Sequence, residues 1–424
     1  MRHLKFVLIA AMVIGSFGSD HCSAITINLS YRAPGDQLGT FGDATAAPGG
    51  NTGAGNIQSV VQAAAAYWES AFADDFELNV EYGWFPRDSS VASHRFVSGG
   101  GNPYRQTAAT IAFDSDGTTD WFLDSTPFAA EEFGSFTEIA RNFGGGVMTT
   151  GLVFNQATGD ALERDLLSTA MHEIGHALGL SSGNLSFSAE RGDDDVDVTS
   201  PRPFAGAEIP LLGSSAHIDL SNALMNSERD SGVRRLASEA DILANAQISR
   251  FEEVNLRPLF PGQSRIDYNY DGLVDAIDLD ELLAEGPIAS GVAADPRNAE
   301  FDLNGDGAID HSDRDIWLTE AATYNGLGSP YLIGDANLDG SVDASDFNIW
   351  NGSKFTTSLA WSNGDFNADG AVDGSDFNAW NQNKFTSSDV ASVPEPSTSA
   401  ISLAFFTCVF AIRRRYEAAT VRYS

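Results

Sequence analysis

Four segments in the C-terminal half of this chain repeat one twelve-residue pattern, and nothing else in the sequence restricts a fold so tightly. Asp267, Asn269, Asp271, Gly272, Asp275 and Asp278 recur as Asp302, Asn304, Asp306, Gly307, Asp310 and Asp313. They recur again as Asp335, Asn337, Asp339, Gly340, Asp343 and Asp346, and as Asp365, Asn367, Asp369, Gly370, Asp373 and Asp376. Oxygen-bearing side chains at positions 1, 3, 5, 9 and 12, with glycine at 6, are what a loop wrapped around Ca2+ requires. Position 7 adds a backbone carbonyl, here from Leu273, Ala308, Ser341 and Ala371.

Sixteen aspartates stand in these loops, and they explain much of the formal charge of −35. Without a cation, four clusters of like charge repel, so folding of this half is expected to depend on calcium. The apolar residues after each loop (Leu279 and Leu282, Ile316 and Trp317, Phe347 and Trp350, Phe377 and Trp380) are expected to pack the loops in pairs. The closing Asp in place of Glu, and the lack of a preceding helix at most loops, resemble dockerin type I repeats. The resemblance covers about 265–386 and implies two small α-helical calcium modules, 265–320 and 333–386. It also implies a cohesin-like domain as partner; the alternative is a calcium-stiffened spacer. The same charge argues against nucleic acid, because 24 Lys and Arg face 59 Asp and Glu.

Residues 25–260 read differently. Strands are expected at Ile25–Tyr31, Phe76–Trp84, Thr107–Phe113 and Gly151–Phe154, and a helix at Ile57–Phe72 with Val60, Val61, Ala64 and Trp68 at helical spacing. The strongest helix signal runs from Asp160 to Leu180, with Leu162, Leu166, Leu167, Ala170, Met171 and Ile174 on its apolar side. Gly183–Ser215 reads as irregular, and Ser238 caps a closing helix to Ser249.

At the end of the strong helix stands His172-Glu173-Ile174-Gly175-His176. Histidines four apart project from one helix face and suit two nitrogen ligands of Zn2+. Glu173, beside the first, can polarise water at the metal and carry its proton as general base. Gly175 and Gly179 each cost a helix roughly 1 kcal/mol relative to Ala; Gly179 is expected to end the helix and turn the chain. The string through Leu180 resembles the metzincin signature HExxHxxGxxH, and implies a zincin-like domain, a mixed sheet carrying a zinc-binding helix.

One departure concerns the third histidine: Ser182 occupies its place. His217 is the leading replacement, because Met225 follows it as the methionine of a metzincin Met-turn does. An insertion before the third ligand, here Leu180–Ser215, resembles leishmanolysin-like peptidases. Asp219, one of Asp193–Asp195, and His94 are the alternatives. A developing oxyanion also needs a donor besides the metal, and the sequence assigns none.

Both ends read as processing signals. Residues 1–24 have a basic start, an apolar run and a small-residue end, as a secretory signal peptide does. Val393-Pro394-Glu395-Pro396-Ser397, an apolar run and Arg413-Arg414-Arg415 resemble a PEP-CTERM sorting tail. That implies an exosortase-type processing enzyme, a place in the cell envelope or outside the cell, and membrane contact only through 393–424. Cys22 and Cys408, the only cysteines, lie in these segments, so neither a disulfide nor a cysteine ligand is expected. The expected function is an exported zinc-dependent endopeptidase acting on protein or peptide. The alternative is a non-catalytic calcium-binding envelope or adhesion protein with a vestigial zincin domain.

Overall fold

The structure, a computed structural model, describes residues 25–388 apart from Ser89, 201–203, Ser214, Arg229 and 295–297. The leader and tail readings lie outside those residues. Among the described residues no helix is long and apolar enough to cross a membrane. The chain divides into two compact units, one up to Gln263 with Tyr270–Gly272, the other Ser264–Asn269 with Leu273 onward.

In the first unit, β1 (Thr26–Tyr31) leads to α1 (Ile57–Ala71), β2 (Glu77–Phe85), β3 (Ala92–Gly100) and β4 (Arg105–Asp114). The order in the sheet is β1-β2-β4-β3. The first three of these are parallel, and β3 runs antiparallel along β4 at the edge. β1 alternates buried Ile27 with exposed Thr26 and Asn28, the period of a half-buried strand. α1 is capped by Asn56, whose Oδ1 accepts from Ser59 N at 2.9 Å. Its Val60, Val61, Ala64 and Trp68 are fully buried. β3 escaped the sequence reading because its composition is polar and glycine-rich, and only one of its residues is buried.

Next come β5 (Ser135–Asn142), β6 (Val147–Asn155) and α2 (Leu166–Leu178). α3 (Leu185–Glu190), a hairpin of β7 (Asp195–Val198) and β8 (Ala207–Pro210), β9 (Arg234–Leu236) and α4 (Glu239–Ser249) complete the unit. β9, β6 and β5 form a second, antiparallel sheet.

Two expectations need correction here. The helix expected from Asp160 begins only at Leu166: Gly159–Leu162 is a single 3-10 turn, and Leu162 is exposed. Asp165 is the reason. Its extended backbone makes it the N-cap, its Oδ2 accepts from Ser168 N at 3.0 Å, and its Oδ1 pairs with Arg234 at 3.1 Å. Gly183–Ser215, expected to be irregular, contains α3 and the β7–β8 hairpin, whose short apolar positions (Val196, Val198, Ile209) were hidden among acidic residues.

The second unit holds α5 (Ala276–Ala284), α6 (His311–Tyr324), α7 (Ala344–Ser353) and α8 (Gly374–Asn383). Each follows one acidic loop. The position-9 aspartate (Asp275, Asp310, Asp343, Asp373) is the N-cap, and the position-12 aspartate closes a capping box with it. The four repeats share one apolar cluster. Within it Trp350 Nε1 donates to Asp373 O and Trp380 Nε1 to Asp343 O, both at 2.9 Å, so the last two repeats clasp each other reciprocally. Trp317 Nε1 donates to Ile266 O at 3.1 Å, tying the second repeat to the first.

Candidate metal centres

α2 runs through the interior of the first unit with every residue buried. Trp68 Nε1 fastens it from α1 by donating to Met171 O at 2.9 Å. A side chain on Gly175 would collide with Met225 Sδ and press on Trp68, so glycine here permits the close approach of the 225 turn. Gly179 is glycine for a related reason. Its φ of −177° is extended and not left-handed, but a Cβ there would lie 2.8 Å from Asn245 Oδ1. It does end α2, as expected, as the C-cap residue after Leu178.

His172 and His176 meet edge to face one turn apart, with ring centroids 4.5 Å from each other. His217 joins them, 5.2 Å from His172 and 4.9 Å from His176. One ring nitrogen from each of the three lies within 4.8 Å of the others, a spacing that a single ion can bridge. His172 Nδ1 donates to Leu224 O at 2.7 Å and His176 Nδ1 to Leu180 O at 2.5 Å. A carbonyl can only accept, so both Nδ1 atoms carry the hydrogen and each Nε2 keeps its lone pair. That is how imidazole ligands are usually oriented for a metal. Three imidazoles meeting at one cavity fit Zn2+.

The 217–226 segment closes on itself to deliver His217. Ile218 N donates to Met225 O at 3.0 Å, and Asn226 Nδ2 to Ile218 O at 3.0 Å. Met225 is fully buried beneath the histidines, against the position of Gly175. The turn is held from α4 by Asp241, which nothing in the sequence singled out. Its carboxylate accepts from Met225 N at 2.8 Å, Leu224 N at 3.1 Å, Ser238 N at 2.9 Å and Ser238 Oγ at 2.6 Å. Burial pushes its pKa up, and these donors oppose that. Leu224 thus receives Asp241 on its N–H and His172 on its carbonyl.

The cavity at the three histidines measures about 380 Å³ and is also lined by Glu173, Ser182 and His94. Glu173 is almost wholly buried. His94, on β3, has its ring centroid 6.0 Å from that of His176; burial pushes its pKa down to about 4, so the ring is neutral near pH 7. Asp219 is not in the three-histidine group, and Asp193 and Asp195 form a separate exposed cluster with Asp197.

The acidic loops of the second unit have one repeated geometry. In the second loop Asp302 Oδ1 accepts from Gly305 N and Asp306 N at 2.8 and 3.1 Å, and its Oδ2 from Gly307 N at 2.8 Å. Asp313 Oδ1 accepts from Leu303 N and Asn304 N at 2.8 and 3.2 Å, and its Oδ2 from Asp310 N at 2.8 Å. The same bonds from the closing aspartate recur at Asp346 and Asp376, and Asp278 receives Tyr268 N at 2.8 Å and Asn269 N at 3.3 Å. Gly272, Gly307, Gly340 and Gly370 have φ between 83° and 91°, which only glycine adopts without strain. All four closing aspartates are fully buried. Burial, and after it the neighbouring carboxylates, push Asp335 and Asp365 up to about 7 and Asp278 to about 8. Carboxylates gathered this closely suit a hard divalent cation such as Ca2+. His311, at a non-ligating position, donates from Nε2 to Asn367 O at 2.8 Å.

No family model matches the chain, and no curated protein or solved structure matches it.

Proposed function

We propose that the protein is an exported zinc-dependent endopeptidase with a calcium-stabilised C-terminal unit. The observation that carries this reading is the meeting of His217, from a buried turn, with His172 and His176 in one cavity that also holds Glu173. His172, His176 and His217 would hold the zinc, which when bound polarises a carbonyl and lowers the pKa of water to about 7. Glu173 takes a proton from the attacking water and returns it to the amine as the C–N bond breaks. Leu180 O and Leu224 O keep the two helix imidazoles in the tautomer that leaves Nε2 for the metal.

In the second unit the loop residues named above would hold calcium, and a cohesin-like partner or a spacer role remains the proposal for its surface. An envelope or adhesion protein with an idle zincin-like domain is the second reading, favoured by Ser182 at the place of the signature's third histidine. The two separate in one comparison. The exported protein is purified with zinc and calcium and given an unfolded protein substrate beside Glu173→Ala. Turnover that disappears in the variant, with zinc retained, supports the peptidase. Equal behaviour of the two proteins leaves the adhesion reading.

A further inference from the structure

His94 is the cavity-lining imidazole that the proposed chemistry leaves without a task, and its surroundings fix which of its nitrogens carries hydrogen. Gln106, buried on β4, points its Nε2 at two atoms: Ala108 O at 2.9 Å and His94 Nε2 at 2.9 Å. The first of these is a carbonyl and can only accept, so the amide nitrogen belongs there. Reversing the amide would set Oε1 against Ala108 O and lose one of the two bonds. Oε1 is left without a partner as it stands; reversal would let it accept from an Nε2–H of His94, but would press it against Ala108 O and strand the amide nitrogen in its place. Gln106 therefore donates to His94 Nε2, and the hydrogen of the neutral ring sits on Nδ1. Among the described residues Nδ1 has no hydrogen-bond partner, although its ring lines the cavity beside His176.

A positioned N–H with nothing of its own protein to meet suits an oxygen brought in by a ligand. Resting on the peptidase reading, we propose that His94 is a catalytic residue whose Nδ1–H donates to the carbonyl oxygen of the peptide bond being cut. As water oxygen bonds to the carbonyl carbon, the π pair moves onto that oxygen, and the N–H steadies the charge it gains. The pair then returns, the C–N bond breaks, and the proton held by Glu173 passes to the amine. His94 loses no proton at any point. Preorganised donors of this kind are worth more in the transition state than in the ground state. The same Nδ1–H excludes His94 as a fourth ligand through that nitrogen, and Gln106 occupies the other.

The test uses the full exported protein with zinc and calcium. His94→Phe keeps the ring's shape and removes the donor; His94→Asn keeps a shorter donor. His94→Phe is expected to lower kcat by about a hundredfold or more, to leave KM within about threefold, and to leave bound zinc unchanged. A phosphinic peptide that mimics the tetrahedral state should lose affinity by a similar factor, and His94→Asn should recover part of both. In the wild type, 15N NMR of labelled histidine should show His94 as the Nδ1–H tautomer, which reads the inference even if a variant fails to fold. Wild-type kcat in His94→Phe, loss of zinc from it, or an Nε2–H tautomer would overturn the assignment and leave the peptidase standing. A wild type that neither cleaves nor binds the phosphinic peptide removes both.

Discussion

The two units solve one electrostatic problem in opposite ways. Each buries carboxylates, which is expensive unless the charge is met. In the first unit the protein meets it itself. Asp124 and Asp165 share the fully buried Arg234, at 2.6 and 3.1 Å, and Asp241 accepts from backbone and hydroxyl donors. In the second unit the buried closing aspartates meet backbone N–H groups and sit among other carboxylates, and the proposed calcium would finish the task. The first unit carries its cation in the sequence as Arg234, while the second, on the proposed reading, takes one up. Its fold should therefore be conditional where the first is not.

Removing calcium should break this symmetry most severely. With EGTA the second unit is expected to lose its cooperative fold, read by a red shift of the buried tryptophan emission. Zinc content and the first unit's secondary structure should persist. Acid should partly restore it. Asp335 and Asp365, pushed up to about 7, bind protons in the folded state at pH values where an unfolded aspartate does not. The calcium-free unit is thus destabilised as pH rises from about 4 through about 7, and should melt higher at pH 5 than at pH 8. Thermal melts in EGTA at the two pH values check the sign.

Arg234→Met attacks the first unit's own cation. It strands Asp124 and Asp165 in the interior, and a loss of about 3–5 kcal/mol in urea unfolding of that unit is expected, with the calcium response untouched. Asp241→Asn is milder. It weakens the acceptor that holds Leu224 and Met225, hence the carbonyl that orients His172. Zinc affinity should fall about 10- to 100-fold, measured by competition with a chromogenic chelator, with only a modest change in melting temperature.

The same contrast decides how much could be read from sequence. Each loop of the second unit is complete within twelve residues, and its ligands double as N-cap and capping-box residues, so Asp310 and Asp313 announce both the site and the start of α6. The pair His172 and His176 was legible for the same reason, being one turn of one helix. His217 was legible only through the methionine that follows it, because a turn folded back on α4 brings it in. His94 was weighed as a ligand and is better placed beside the site than in it. What assigns it is Gln106 on the neighbouring β4, while His94 itself stands on β3, a polar strand that no periodicity reveals. The start of α2 was misplaced because Leu162 fits the helical spacing, while the distant Arg234 is what draws Asp165 into its capping position.

Whether His217 completes the centre at His172 and His176 decides the proposed chemistry. Zinc titration of the wild-type protein beside His217→Ala, in excess calcium to occupy the acidic loops, asks this directly. One tight zinc site is expected in the wild type, and a loss of more than about a hundredfold in affinity in the variant. Equal zinc affinity in the two proteins would contradict it and return the third position to another group.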